Sequence, residues 1–291
     1  MLLGYNTNGF AHQRLEDAVS ILAELGYSSI AITLDYHALN PFDSDFSRQC
    51  EGLRQLLNTL HMRCVIETGA RYLLDPRRKH QPTLLSASAK DRQRRLDFLI
   101  RAVALAEYLH ADAVSFWSGS PDTPSEKDEF WTRLVGGCQT LCDYAAKGKV
   151  RLSFEPEPGM FIDTMPKFEE LHRRVSHLQF GLTLDVGHLH CQGEVPIGQH
   201  IHRWKDSLWN VHIEDMRHGV HDHLMFGEGE MDFPPIFQSL KEINYGGGVH
   251  VELSRHSHDA VHAATQAIAF LRAMKQADPR ADALGSTGTG S

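Results

Sequence analysis

The sequence predicts an α/β chain folded as one (β/α)8 TIM barrel over residues 1–276, with 277–291 as a mobile C-terminal tail. Three observations predict it. Short β-branched or aromatic runs alternate eight times with longer runs whose apolar residues recur at i, i+3, i+4 and i+7. The first strand is followed by Asn6-Thr7-Asn8-Gly9 rather than the glycine-rich phosphate turn of a doubly wound sheet. The 291 residues match the size of such a barrel.

In chain order, Leu2–Asn6 reads as the first strand and Leu15–Leu25 as the helix that returns from it. Ser29–Thr33 and Phe46–Leu60 form the second pair, and Arg63–Glu67 with Asp91–Leu109 the third. In that third helix Leu96, Leu99, Ile100, Val103, Leu105 and Ala106 supply the apolar stripe. Ala113–Trp117 with Glu126–Ala146, Arg151–Glu155 with Met165–Val175, and Gly181–Asp185 with Ile197–Lys205 follow. Leu208–His212 with Pro234–Ile243, then Gly248–Glu252 with Asp259–Met274, complete the eight. Each strand–helix–strand unit requires a right-handed crossover, which yields a parallel sheet. One long insertion, Thr68–Lys90, follows the third strand and carries Arg71, Arg77, Arg78 and Lys79. Barrel geometry puts it on the catalytic rim, as a solvated lid or a phosphate clamp.

Composition narrows the function. With 29 Lys+Arg against 37 Asp+Glu the net charge is −8, which opposes loose attraction to nucleic acid or to anionic membranes. No uncharged apolar run is long enough to span a bilayer, and the first residues do not read as a secretory leader. Five cysteines at positions 50, 64, 138, 142 and 191 form an odd set that suits buried thiols in a reducing cytoplasm. Histidine is the unusual entry: 19 in all, 12 of them between His188 and His262.

The last four strands each end in a metal-competent side chain: Glu155, Asp185, His212 and Glu252, spaced by 30, 27 and 40 residues, about one repeat each. A charge that ends an apolar strand is costly unless it is paired or coordinated, and crowded carboxylates repel unless a cation joins them. Three carboxylates with one imidazole form a hard donor set, favouring Mn2+, Mg2+ or Co2+ over Zn2+. The bland alternative is that these carboxylates cap the helices that follow. His188 lies just beyond Asp185, and Asp215–Gly229 carries His221 and His223, which can face one way from an extended loop and hold a second metal or substrate. His250 reads as a packed core histidine. Trp117, at the end of the fourth strand, either floors a sugar or packs as a rim aromatic.

Glu155 within FEPEPG, LTLDVGH, NVHIED, FGEG and VHVELS occur in an order that resembles the xylose isomerase-like sugar isomerase and epimerase superfamily. That superfamily shares its barrel with inosose dehydratases and endonuclease IV-type nucleases. The resemblance implies one divalent metal on Glu155, Asp185, His212 and Glu252, with Glu155 and Glu252 as the acid–base pair. It implies substrate contacts from His188 and Arg217. The implied activity is isomerisation or epimerisation of a small polyhydroxylated carbonyl substrate, by proton transfer next to the carbonyl through a metal-stabilised enediolate. Loss of a β-hydroxyl from a keto-cyclitol or keto-sugar would make the same apparatus a dehydratase. An endonuclease IV-like phosphodiesterase is the second alternative. Its three-zinc site uses further histidines, which IETGARYLL and VSFWSGS lack, and its Asp-x-His is replaced here by His221-Asp222-His223. The resemblance is also compatible with a homo-oligomer.

Overall fold

The computed structural model describes residues 1–276. The expected tail, 277–291, lies outside the described residues. Eight parallel strands close a barrel: β1 (Leu2–Asn6), β2 (Ser29–Thr33), β3 (Arg63–Glu67), β4 (Val114–Phe116), β5 (Leu152–Phe154), β6 (Phe180–Asp185), β7 (Leu208–Ile213) and β10 (Gly248–Val251). The ring runs β1-β10-β7-β6-β5-β4-β3-β2, and β2 pairs back onto β1. Helices α1 (Leu15–Leu25), α2 (Phe46–Thr59), α3 (Ala89–Leu109), α4 (Lys127–Lys147), α5 (Met165–Val175), α7 (Ile197–Arg203), α8 (Pro234–Glu242) and α9 (Ala260–Gln276) connect the strands. All eight expected strands and all eight expected helices form, most of them within two residues of the expected ends.

Two elements depart from the expectation. A short helix α6 (Val186–Cys191) starts directly on Asp185, whose Oδ1 accepts the His188 backbone N–H at 2.8 Å. The stretch after β7 is an antiparallel hairpin, β8 (Asp215–Arg217) with β9 (Val220–Leu224), rather than an open polar loop. Its polar alternation resembles a loop in sequence, because the hairpin is small and largely solvated.

Packing between the sheet and its helices is aromatic on one side of the barrel. Phe116, Phe154, Phe168 and Phe180 are buried together, with Phe116 and Phe154 edge to face at 5.2 Å between centroids. Each such ring contributes about 2–3 kcal/mol through removal from water. Inside the barrel the filling is polar where it supports the site. His250 is fully buried, with Nε2 2.8 Å from Ser29 Oγ and Nδ1 2.8 Å from Asn210 Oδ1. The amide oxygen of Asn210 accepts only, so His250 Nδ1 carries the proton and Nε2 accepts from the Ser29 hydroxyl. Gly4 and Gly248 make room for this ring: a Cβ at either would collide with it. His250 is therefore the packed core histidine that the sequence suggests. All five cysteines are buried and unbridged. No helix among the described residues is long and apolar enough to cross a membrane.

Burial, then the charge of His212, push the His250 pKa down from 6.5 to about 3. Between those values the unfolded chain binds a proton that the native protein refuses, so stability falls as pH falls from 6.5 towards 3. The slope from this ring is roughly 1 kcal/mol per pH unit. His250→Asn is expected to be less stable at neutral pH yet to lose less further stability on acidification. Urea unfolding at neutral and mildly acidic pH measures both effects; equal acid slopes in the variant and the parent protein would refute the assignment.

Candidate active site

Glu155 follows β5 directly, Asp185 ends β6, His212 lies in β7 and Glu252 follows β10. Asp185 and His212 are paired across neighbouring strands, as are His212 and His250, so Asp185 and His212 share one level and Glu252 lies two residues beyond it. One donor atom from each of the four lies within 4.8 Å of all the others. His212 Nδ1 is 3.0 Å from Glu155 Oε1, 2.8 Å from Glu252 Oε2 and 4.0 Å from Asp185 Oδ2. Asp185 partly fulfils the bland alternative, since its Oδ1 caps α6, but its Oδ2 is buried with no hydrogen-bond partner and faces the cluster.

The other side of the His212 ring explains its orientation. Nε2 lies 2.9 Å from Glu67 Oε1, and the Asn210 amide donates to the same oxygen at 3.0 Å. A carboxylate accepts, so Nε2 carries a proton and Nδ1 is the nitrogen turned to the cluster. Burial disfavours a charged His212, but Glu155, Glu67 and Glu252 overcome it and hold its pKa well above the ordinary value. The imidazolium thus occupies a place built for positive charge. The donor set, the orphaned Asp185 oxygen and the fixed Nδ1 fit a divalent cation held by Glu155, Asp185, His212 and Glu252.

The two glutamates are not equivalent. Burial pushes the Glu155 carboxyl well above the usual range. Burial also opposes ionisation of Glu252, yet the charge and hydrogen bond of His212 hold it well below that range. Asn8 Nδ2 donates to Glu252 Oε1 at 2.7 Å and fixes the carboxylate.

A second group lies beside the first. His188, His221 and His223 present donor atoms within 4.8 Å of one another, and so do Asp185, Glu214 and His223. His188 Nδ1 lies 3.2 Å from the Pro156 carbonyl, which requires the proton there, so Nε2 offers its lone pair to His221 Nε2 at 3.0 Å. Burial lowers the His188 pKa to about 4 and also lowers that of His221. His223 goes the other way: burial opposes its charge, but Glu214 raises its pKa to about 10. Glu214 is fully buried; neither carboxylate oxygen has a hydrogen-bond partner, and Oε2 lies 3.8 Å from His223 Nδ1.

Both groups open into a cavity of about 440 Å3 at the carboxyl ends of the strands. Trp117 lines it, in contact with Arg95, whose guanidinium carbon lies 4.4 Å from the ring centroid. The insertion expected on the rim is there: Gly69, Arg71, Lys79, His80 and Gln81 line the cavity. Arg217 is a correction. It is exposed, does not line the cavity, and donates to the Glu228 carbonyl at 2.8 Å, because it ends β8 at the outer turn of the hairpin. The hairpin-side arginine at the cavity is Arg255, paired with Asp222 of β9.

Sequence reasoning missed Glu67, Asn8, Glu157 and Glu214. Glu67 ends β3 as the candidate ligands end theirs, and that position was its only signal. Glu157 lines the cavity two residues after Glu155, and burial followed by the charge of Glu252 raises its pKa to about 8.

Comparison with known proteins agrees with this architecture. A family model described as xylose isomerase-like TIM barrel matches residues 19–274. An inosose dehydratase from Lacticaseibacillus casei is 28% identical over 148 residues, 45% of this chain and 49% of that protein. The chain thus spans about half the length of the first curated relatives it matches. An inosose dehydratase from Geobacillus kaustophilus (strain HTA426) is 26% identical over 274 residues, covering 83% of this chain and 80% of that one. The solved structure of an L-ribulose 3-epimerase superposes with a TM-score of 0.78 at 19% identity, over 100% of this chain and 99% of that one.

A cation can take His212 Nδ1 only after that nitrogen loses its proton, so metal binding must release at least one proton. The raised pKa of His212 means that apparent metal affinity grows as pH rises, by up to roughly tenfold per pH unit for each proton released. Calorimetric titration of Mn2+ at two pH values, in buffers of different ionisation enthalpy, counts the protons. Asp185→Asn is expected to weaken Mn2+ binding at least roughly tenfold, and unchanged affinity in that variant would remove Asp185 from the site.

Proposed function

The chain belongs to the xylose isomerase-like TIM barrel family, and on that premise we propose that it is a metal-dependent isomerase or epimerase of a sugar or cyclitol. One observation carries the reading: Glu155 and Glu252, from strands that are not neighbours, converge within 3.0 Å of His212 Nδ1 at the floor of a cavity large enough for a monosaccharide. A bound Mn2+, Mg2+ or Co2+ on Glu155, Asp185, His212 and Glu252, with Zn2+ less suited, would supply electrophilic polarisation of a carbonyl and its neighbouring hydroxyl.

The chain's own residues divide the proton transfer. Glu252, ionised and fixed by Asn8, takes the proton from the carbon beside the carbonyl. Glu155, whose protonated form burial favours, returns one from another direction. Glu67 keeps the His212 ring turned so that its Nδ1 stays with the glutamates. The His221 and His223 rings offer hydrogen bonds to substrate hydroxyls, and His188 Nε2 accepts one where a hydroxyl takes the place of His221. Trp117 supplies an apolar wall to the ring carbons.

A dehydratase is the second reading, and Glu157 favours it. A third carboxyl in the cavity that keeps its proton near neutral pH can hand it to a departing hydroxyl. The likeness to inosose dehydratases supports the same reading. The three-histidine cluster is proposed as a second, weaker metal position or as substrate contacts. The proposal locates the enzyme in the cytoplasm, where five buried, unbridged thiols stay reduced. Small polyhydroxylated carbonyl compounds are its partners rather than nucleic acid or membrane, and a homo-oligomer is compatible with it.

Incubation of the metal-loaded protein with ketoses and inososes in D2O tests the reading. Deuterium at the carbon beside the carbonyl, with the substrate skeleton retained, is the expected result by NMR. Glu155→Gln and Glu252→Gln are each expected to slow the exchange by roughly 10²–10⁴-fold. Full exchange in both variants would end the mechanism, whereas water loss with a conjugated product would select the dehydratase. For the second metal position, His221→Ala with His223→Ala is expected to lower bound Mn2+ from two equivalents to one; one equivalent in the unaltered protein assigns the cluster to substrate.

A further inference from the structure

The segment 68–90 supplies Gly69, Arg71, Lys79, His80 and Gln81 to the cavity wall, and it carries a group that the proton-transfer reading leaves unused. Arg71 and Lys79 both line the cavity. They are held side by side, because the His80 backbone N–H donates to the Arg71 carbonyl at 2.6 Å. Neither has a carboxylate at ion-pair distance among the described residues, whereas Arg78 pairs with Asp75 and Arg255 with Asp222. The Arg71 guanidinium makes one long contact, 3.4 Å to the Asn8 carbonyl.

With them on the cavity wall is His80, stacked on Trp117 at 5.1 Å and 27° between ring planes. Both of its ring nitrogens are buried and without a hydrogen-bond partner. A buried, unpaired polar group is costly unless a ligand completes it. Burial, then Lys79, Arg95 and Arg71, bring the His80 pKa down to about 3, so the ring is neutral and offers one donor and one acceptor. Positive side chains with no carboxylate at ion-pair distance, beside a neutral polar ring in a cavity wall, form a receptor suited to an anion.

We propose that the substrate carries an oxyanion, a phosphate or a carboxylate, at the end remote from its carbonyl, bound by Arg71 and Lys79 with His80 completing the hydrogen bonds. This rests on the reading above, in which the carbonyl end lies at the floor. The floor, where Glu67, Glu155, Asp185 and Glu252 gather, repels an anion, so the charged end is directed to the lid.

Binding calorimetry on the metal-loaded protein tests this without relying on turnover. The probes are fructose, fructose 6-phosphate and fructuronate, which differ only in the group at one end. At least one charged probe is expected to bind about tenfold or more tighter than fructose. The double variant Arg71→Met, Lys79→Met is expected to cut that advantage to about threefold or less, and Arg77→Met, on the same segment but outside the cavity, to keep it. An advantage for one charged probe alone identifies the anion as phosphate or as carboxylate. Equal binding of all three, or an advantage that survives in the double variant, overturns the proposal. If none of the sugars binds, inorganic phosphate and acetate stand for the anion alone, and a melting temperature insensitive to both at matched ionic strength overturns it. Deuterium exchange is not a readout here, so failure of proton transfer and failure of the anion site are separate results.

Discussion

The site depends on one hydrogen bond, from His212 Nε2 to Glu67 at 2.9 Å. It selects the tautomer, and the tautomer decides which nitrogen faces Glu155, Asp185 and Glu252. Without it the ring could present an N–H, or turn, and the four strand ends would be three carboxylates repelling one another in a buried space. With it, they become a cluster with a fixed nitrogen and an oxygen-rich surround. Glu67 comes from β3 and His212 from β7, on opposite sides of the ring of strands. Closure of the barrel is therefore a condition for the site as well as for the fold.

Support for that bond extends down the barrel. Asn210 donates to Glu67 Oε1, and its oxygen takes the His250 proton, while His250 accepts from Ser29. Each of these three hydrogen bonds joins a donor to an acceptor, which lets such a group sit where a TIM barrel more often places branched apolar side chains. The glycines at positions 4 and 248 belong to the same arrangement, since the His250 ring fills the space their side chains would take. Sequence and site are connected here through packing: two missing Cβ atoms admit an imidazole, and that imidazole orients the amide that orients Glu67.

Much of this was legible in the sequence, for a physical reason. Strand–helix alternation is a local periodic signal, so all eight units could be placed, and the four ligand candidates followed because a charge at the end of an apolar strand is locally anomalous. Glu67 is just as anomalous but was not singled out, since its partner is 145 residues away and nothing local reports the closure that joins them. Arg217 fails for a related reason. Its place depends on whether 215–224 is an open loop or a hairpin, and the turn at Gly219 carries it away from the cavity. Asn8 lies in a single 3-10 turn (Thr7–Phe10) and His80 in the irregular insertion, where sequence spacing says little about direction.

The inequality of Glu155 and Glu252 bears on the chemistry. A carboxyl that keeps its proton beside one that has lost it suits a reaction run in one direction, where one group takes and the other gives. Epimerisation asks more, because in the reverse direction the roles exchange and each must serve as acid and as base. The present inequality has two sources: burial, which prevails at Glu155, and the positive charge of His212, which prevails over burial at Glu252. A cation that displaces the His212 proton removes the second source and attracts both carboxylates. What then remains of the difference is the Asn8 hydrogen bond on Glu252 and the deeper burial of Glu155. Both oppose equality in the same sense, favouring Glu252 as the base. In the proposed reaction the substrate face reached by Glu252 would be the one from which the proton leaves most readily, and Glu157, whose raised pKa favours its protonated form, would be a ready acid when a hydroxyl rather than a proton is to be exchanged.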